Sequence, residues 1–578
     1  MACEYPADGL PTSLPARLLD FALPMSLEAY AKKRFLIVDE LDSFRFATKK
    51  MLISLGLKLI STASSAQQVV SGFQDMNFDV ILCNFDLADG KNGQELLEEL
   101  RYKKLLKHTG LFFIVTAEVA KGKVLGTLEN EPDGYLVKPL TPAELKKRLT
   151  SALEQKDATR QIDLAIDDRQ YEKAIELCDE KLRAKAGYRL LTQRTKVWLL
   201  EKNRDLAGAK ALYEKILAQS DYSWAEYGLA KILTRTRDYD KAGELLRHII
   251  EKEPDRIEAY DALAAVYDKQ NKPEQARDSL HEAAKRSPNS LNRQQALANI
   301  CIKTGEPDGA LEAFRRVVKL GQQSVYATTD HYFQFADYLV NSSLDAEGPT
   351  ASKQQKEAFD LVQKAKKRFS NETEIELKTL YKEAQLHSTL GNDEQAQALF
   401  EQAEQKRKKL QEQAEAKKGL QPDTAVIGAQ AGIRLGHSEL ADQILNDTVD
   451  SIDNPEEDSN AVEAVYDLLD TRITMEQRQQ AASYNKSAIA AYSSGDLDAA
   501  ISAYEAALPL TPRHISLNLN YLQVLLKRLQ KGPSPDSDYD NAQACVHRLR
   551  HVPPHHREYP RYRHLSQRFQ KMEQNAGD

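Results

Sequence analysis

The chain has 578 residues with 79 basic and 86 acidic side chains, a formal net charge of −7; it is too long for one ordinary domain and too evenly charged for a general nucleic-acid binder. Its five cysteines (Cys3, Cys83, Cys178, Cys301, Cys545) are odd in number, far apart and form no C-x-x-C pair, which argues against a disulfide framework and for a reducing cytoplasm. No stretch approaches the roughly 20 apolar residues that span a bilayer, so no membrane partner is expected.

Residues 1–33 read as an N-terminal extension, with early acids, recurrent prolines and no apolar core of a secretory signal. Met25, just ahead of the first strand pattern, offers a second start. From 34 to 153 strand and helix patterns alternate, the signature of a doubly wound parallel sheet. "RFLIVDE" is a strand ending in two acids; "DSFRFATKKMLISLG" is a helix with Asp42 or Ser43 placed to cap it and Gly56 to stop it. "LKLISTAS", a helix in "SAQQVVSGFQDM", and the apolar strand "FDVILCN" follow. Then come the helix "GQELLEELRYKKLL", strands "GLFFIVTAE" and "DGYLVKP", and the closing helix "TPAELKKRLTSALEQ".

Three landmarks in order, "VDE" with Asp39 and Glu40, "FIVTA" with Thr116, and "YLVKP" with Tyr135, Lys138 and Pro139, make residues 34–153 resemble the receiver domain of two-component response regulators. The resemblance implies a flavodoxin-like α/β fold with a five-stranded parallel sheet. It implies a Mg²⁺ pocket at Asp39 and Glu40, phosphate contacts from Thr116 and Lys138, and a switch aromatic at Tyr135. The phosphoacceptor position falls on Asn84, and a neutral amide is a poor nucleophile and a weaker ligand for a hard cation than a carboxylate. Asp86 lies about 6.6 Å further along an extended chain, and the loop from Asn84 to Gly93 looks one residue longer than usual in the family. The fold is thus expected to be kept and its reaction removed, a pseudo-receiver. No cofactor is required, although Asp39, Glu40 and Asp86 could hold Mg²⁺ weakly. An internal ion pair with the acids is favoured for Lys138 over a ligand contact, and Tyr135 reads equally as a packed aromatic.

Beyond 154 strand patterns vanish and paired helices recur. Small residues at Ala174, Ala209, Ala242, Ala276 and Ala310 are separated by 35, 33, 34 and 34 residues, the tetratricopeptide period. Pro254 and Pro288 each follow a crossing alanine by twelve residues, where proline ends a helix. The units resemble tetratricopeptide repeats, with an array over 154–324 and further units around Ala396, Ala441 and Ala500. Residues 325–415 read as tetratricopeptide-like helices whose 34-residue spacing breaks between 325 and 380; "SSLDAEGPTAS" reads as an inserted loop and "EQAEQKRKKLQEQAEAKKG" as a long solvated helix. Residues 416–470, with the acidic "DSIDNPEEDSN", read as a repeat-like linker region, and 471–578 as a last repeat with a basic cap. Such an all-α solenoid presents a concave face that binds peptides or helices. By the family's first-helix positions the groove comprises Trp224, Tyr227, Lys231 and Arg235, then Asp261, Asp268 and Lys269, then Gln295, Asn299 and Lys303. Lys231, Asn299 and Lys303 suit a carboxylate, against the alternative of an ordinary solvated face.

The segment "CVHRLRHVPPHHREYPRYRHLSQRFQK" carries six arginines and five of the twelve histidines. It reads first as a helical cap, then as a patch for an acidic protein, and last as a nucleic-acid surface. His547 and His551 lack a third ligand. There is no Walker A, G-x-S-x-G or H-E-x-x-H sequence, and no enzyme is expected. The whole reads as a bacterial, cytoplasmic two-component (phosphorelay) adaptor. Its receiver would dock a histidine kinase or phosphotransfer protein, or pair with another receiver, a homodimer being one such pairing; the repeats would hold a second protein. The alternatives are a true phospho-switch through Asp86 and an RNA-associated regulator.

Overall fold

The computed structural model of the protein describes residues 27–72, 77–87, 91–117, 132–185, 187–322, 324–413, 419–451, 459–530, 536–550, 552 and 558–576. Met25, most of the acidic linker, His551 and the Pro553–Pro554 turn lie outside these residues. Strands β1 (Arg34–Val38), β2 (Leu59–Ala63), β3 (Val80–Asn84), β4 (Leu111–Thr116) and β5 (Gly134–Val137) form one parallel sheet in the order β2-β1-β3-β4-β5. Helices α1 (Asp42–Ser54), α2 (Ala66–Gly72), α3 (Gly93–Tyr102) and α4 (Pro142–Asp167) cover it. The central strands are continuous apolar runs because both faces are buried. Phe35, Ile37, Leu82 and Phe113 pack toward Leu52 of α1 and Leu145 and Leu149 of α4. Leu36, Val38, Ile81 and Phe112 pack toward Val69 of α2 and Leu96 and Leu100 of α3.

Helix α1 stops as expected, with Gly56 at φ 91°, a conformation that glycine enters without steric cost. Its start differs from expectation. Leu41 is the N-cap and, being apolar, offers no side-chain cap bond, while the Asp42 carboxylate pairs with Arg45 one turn on.

Helix α4 is the larger departure. It is capped by Thr141, whose hydroxyl accepts from the Glu144 N–H, and then runs 26 residues to Asp167, so the expected boundary at 153 falls inside a helix. The receiver's last helix packs on Tyr171–Arg183 and is itself the first helix of the array: Ile162, Ala165 and Ile166 share a core with Ala174 and Cys178.

From there the helices pair antiparallel through Pro307–Gly321, and the five period-marking alanines are at most 1% exposed. The same holds for Ala396, Ala441 and Ala500. The expected loop "SSLDAEGPTAS" is instead mostly helix. Thr329–Leu344 and Pro349–Arg368 form a hairpin of 16 and 20 residues with Ala358 buried at its crossing. The period fails there because the helices are longer. The long charged helix is Asp393–Gln413, but one face is core, with Phe400, Ala403, Glu404 and Arg407 buried. The described residues of 416–470 form three helices, Pro422–Arg434, Ser438–Asp450 and Ser459–Thr471, sharing a core of Ala429, Leu445 and Val465. At the end, Leu565 and Phe569 of the basic helix Tyr559–Ala576 enter the core of the last repeats, the first of the three readings given to that segment.

Candidate functional site

The carboxyl ends of β1, β3 and β5 bring the receiver landmarks together. Asp39 is 0% exposed; its Oδ2 accepts from Lys138 Nζ at 2.8 Å and its Oδ1 from the Leu41 N–H at 2.9 Å. Lys138 Nζ also lies 4.0 Å from the centre of the Phe44 ring. Glu40 is exposed, and its backbone carbonyl, like that of Asp39, accepts from the Arg45 guanidinium. Sequence reasoning missed Phe44 and Arg45. They lie one turn into α1, and the only signal was an arginine three residues after Asp42.

Asn84 ends β3 as expected. Its Nδ2 donates to the Asp86 carbonyl at 2.7 Å, and a Cβ on Gly93 would sit 2.7 Å from the Asn84 backbone carbonyl, so the start of α3 packs closely on the end of β3. Asp86 is exposed and forms an isolated bridge with Asn92. Thr116 pairs with Val137 in the β4–β5 register, and its carbonyl accepts from the Lys138 N–H at 2.8 Å. Tyr135 is half-buried against the α2/α3 core.

A Mg²⁺ ion here would face an acid whose two oxygens are already bonded. Asp39 is matched by Lys138, and the third oxygen-bearing position offers an amide where a hard cation favours carboxylate. Asp39, Glu40 and Asp86 do not converge to within 4.8 Å of one another, a spacing reached among the described residues by His281, Cys301 and Glu306. The residues present do not fit a tight Mg²⁺ site. Lys138, itself partly exposed, instead forms an ion pair with the buried Asp39, and its loss would leave the Asp39 charge uncompensated.

The expected groove residues all lie on first helices of the repeats. Lys231, Arg235, Lys269, Asn299 and Lys303 are exposed. Lys303 is paired with Asp268 at 2.7 Å and Lys231 with Glu201 at 3.9 Å, and Asp261 is held by Arg293 at 2.7 Å. Trp224 packs between Tyr213 and Tyr222 and under the Arg194 guanidinium, which makes it wall more than entrance. Burial, with Glu258 beside it, pushes the Tyr227 hydroxyl up to about 12. Further along, the concave face closes. Lys378 and Lys382 are 6% and 5% exposed and bridge neighbouring first helices, Lys378 to Asp423 at 2.5 Å and Lys382 to Asp337 at 2.6 Å.

Receiver and array also meet away from the pocket. The Asp167 carboxylate, at the end of α4, accepts from the His108 N–H at 2.7 Å, the Thr109 N–H at 3.3 Å and the Thr109 hydroxyl at 3.0 Å. Lys156 donates to the His108 carbonyl at 2.5 Å, and the His108 ring lies 5.3 Å from that of Trp198 in the array. The loop that leads into β4 is thereby fastened to the first repeat.

The response regulator receiver domain family matches residues 35–150, and tetratricopeptide repeat families match 200–266, 269–329 and 481–514. Chemotaxis protein CheY-3 of Vibrio cholerae is 29% identical over 131 residues, 22% of this chain and 99% of that protein. Chemotaxis protein CheY of Pseudomonas aeruginosa is 28% identical over 122 residues, 21% of this chain and 97% of that protein. Among solved structures, the chemotaxis response regulator CheY4 of Vibrio cholerae aligns at 27% identity and a TM-score of 0.19, covering 21% of this chain and 98% of that one. MamA of Desulfovibrio magneticus RS-1 aligns at 19% identity and a TM-score of 0.26, covering 28% of this chain and 93% of that one. A receiver domain and tetratricopeptide repeats are therefore joined in one chain. No helix among the described residues is long and apolar enough to cross a membrane.

Proposed function

We propose that this two-component-related fusion of a response regulator receiver with tetratricopeptide repeats acts as a phosphorylation-independent adaptor in a bacterial cytoplasm. The receiver docks a histidine kinase, a phosphotransfer protein or another receiver, and the array holds a second protein. The observation that carries this reading is Asn84. The residue that ends β3 is an amide whose nitrogen is engaged by the Asp86 carbonyl, so the pocket presents no nucleophilic carboxylate at that point. The adaptor acts stoichiometrically, not as an enzyme, and competes with a phosphorylatable receiver for its donor.

The test is intact-mass analysis after exposure to a small phosphodonor with Mg²⁺, on the wild type, Asn84→Asp and Asp86→Ala, with excess protein then added to a kinase and its own receiver. The expected result is an unmodified wild type and slowed transfer to the true receiver. A phosphorylated wild type that loses the modification in Asp86→Ala would replace the adaptor with a switch at Asp86. Unchanged transfer in the presence of excess protein would remove the competitive mechanism.

A further inference from the structure

One cluster of ligand-type side chains lies outside the receiver, where two adjacent repeats meet. His281 comes from the helix Pro273–Arg286, Cys301 from the end of Leu291–Lys303, and Glu306 from the turn that caps Pro307–Gly321. His281 Nε2 lies 3.2 Å and Cys301 Sγ 3.6 Å from the same oxygen, Glu306 Oε2, and the three ligand atoms all fall within 4.8 Å of one another. Zinc bonds of about 2.3 Å to sulfur and 2.0–2.1 Å to nitrogen or oxygen place neighbouring donors of a tetrahedron about 3.3–3.6 Å apart. The two separations lie within about 0.1 Å of that spacing.

We propose that His281, Cys301 and Glu306 bind a borderline-soft divalent cation of the zinc class. Imidazole, thiolate and one carboxylate are the donor set such an ion selects over Mg²⁺ or Ca²⁺, which prefer oxygen alone. The thiol gives its proton to solvent as the metal–sulfur bond forms, His281 binds as the neutral imidazole through Nε2, and Glu306 binds through Oε2. Cys301 is buried whereas His281 and Glu306 are partly exposed, so the fourth position opens to water. Gly309 keeps the place clear: a Cβ there would lie 3.1 Å from both Cys301 Sγ and Glu306 Cδ. Arg277 is the neighbouring cation, with Nε 3.8 Å from Glu306. Its Nε and Nη2 also donate to Asp278 at 3.2 and 2.9 Å, so the guanidinium keeps a partner when Glu306 turns to a metal. The bound ion would link consecutive repeats.

The test is titration of the full-length, metal-stripped protein with Co²⁺, followed by displacement with Zn²⁺. Binding at this site gives one equivalent with a thiolate-to-cobalt charge-transfer band and the intense visible bands of a tetrahedral centre. In Cys301→Ser the charge-transfer band is lost, and in the half-exposed His281→Gln, checked for unchanged helix content, affinity falls at least about tenfold. Melting temperature rises with free Zn²⁺ in the wild type and not in either variant. Absence of a charge-transfer band, or a band of unchanged affinity in both variants and thus arising from other thiols or the C-terminal histidines, would overturn the proposal.

Discussion

Replacing Asp167 with alanine releases the loop that leads into β4 from the end of α4. A carboxylate at a helix C-terminus opposes the helix dipole by about 0.3–1 kcal/mol, so its presence calls for compensation. The compensation is three hydrogen bonds from residues 58 and 59 positions earlier, two of them backbone N–H groups. Hydrogen bonds to a charged acceptor contribute about 1.5–3 kcal/mol, and a part-buried N–H left without a partner loses most of that. With the longest bond discounted and the dipole penalty relieved, the remaining two bonds amount to about 2–6 kcal/mol, so Asp167→Ala should weaken the junction by at least about 2 kcal/mol. The assay is amide hydrogen exchange by mass spectrometry on peptides covering residues 105–112. The reporters are the His108 and Thr109 amides, whose opening should become at least roughly 30-fold more frequent at about 1.4 kcal/mol per tenfold. Asp167→Asn keeps one acceptor oxygen and should show about half the effect in free energy. Exchange within twofold of wild type in Asp167→Ala would mean that packing on α4 alone holds the loop, and the reasoning would fail.

Acidification probes the same junction. Burial, with Arg101 nearby, holds the His108 imidazole down to about 4, below its ordinary 6.5. A base with a depressed folded pKa contributes stability that is complete above 6.5 and lost as pH falls toward 4. Tryptophan emission dominated by Trp198 in a Trp224→Phe background, together with the urea midpoint, should report a loss of up to about 3 kcal/mol that His108→Gln flattens. In α3 the shift runs the other way, since burial raises the Glu98 carboxyl to about 7. That acid favours the fold below pH 4.5 and costs stability as pH rises through 7, so Glu98→Gln should stabilise by about 1–3 kcal/mol at pH 8 and be neutral at pH 4 in urea titrations. In the array, a Cβ on Gly228 would overlap the Tyr213 ring, and that hydroxyl donates to Glu201 at 2.7 Å. Gly228→Ala should therefore cost about 1–3 kcal/mol by thermal unfolding.

Much of this architecture is legible in the residues. The runs "FLIV", "VILC" and "LFFIV" announce strands buried on both faces, and alanines 33 to 35 residues apart mark helix crossings because only a small side chain fits there. What escaped reading lay where one residue pattern serves two structures. "KDATRQIDLAID" contains no breaker and continues α4 into the array, yet nothing in its periodicity distinguishes a receiver's last helix from a repeat's first. The unit crossing at Ala358 escaped because its helices are longer, so the next small residue falls 48 positions after Ala310. At the receiver pocket, Asp39, Asn84 and Lys138 stand out by their places at strand ends. Phe44 and Arg45 reach the same crevice only through the turn that starts α1, a geometry that no linear spacing encodes.

The concave face changes character along the array, and the change limits what it can hold. On the helices Ser223–Arg235, Ile257–Lys269 and Leu291–Lys303, Lys231, Arg235, Lys269, Asn299 and Lys303 stand in water, where an exposed pair such as Lys303 with Asp268 contributes at most about 1 kcal/mol and can be exchanged for a ligand's charge at little cost; the buried Arg293, which holds Asp261 across two of these helices, is the fixed pair among them. On Ile375–Thr389 the lysines are buried and join three neighbouring first helices through Asp337 and Asp423. Opening such a pair leaves a desolvated charge and costs about 3–5 kcal/mol. Gln385 closes the same surface by donating to the Ile427 carbonyl at 2.7 Å. Under the adaptor reading, a peptide laid along the groove from the receiver side would meet exchangeable charge at Lys231, Lys269 and Lys303, with Arg293–Asp261 fixed among them, and fixed charge from Asp337 onward. A partner held on those exchangeable charges would sit on an array whose first helix is the receiver's own α4, fastened directly to the loop that leads into β4.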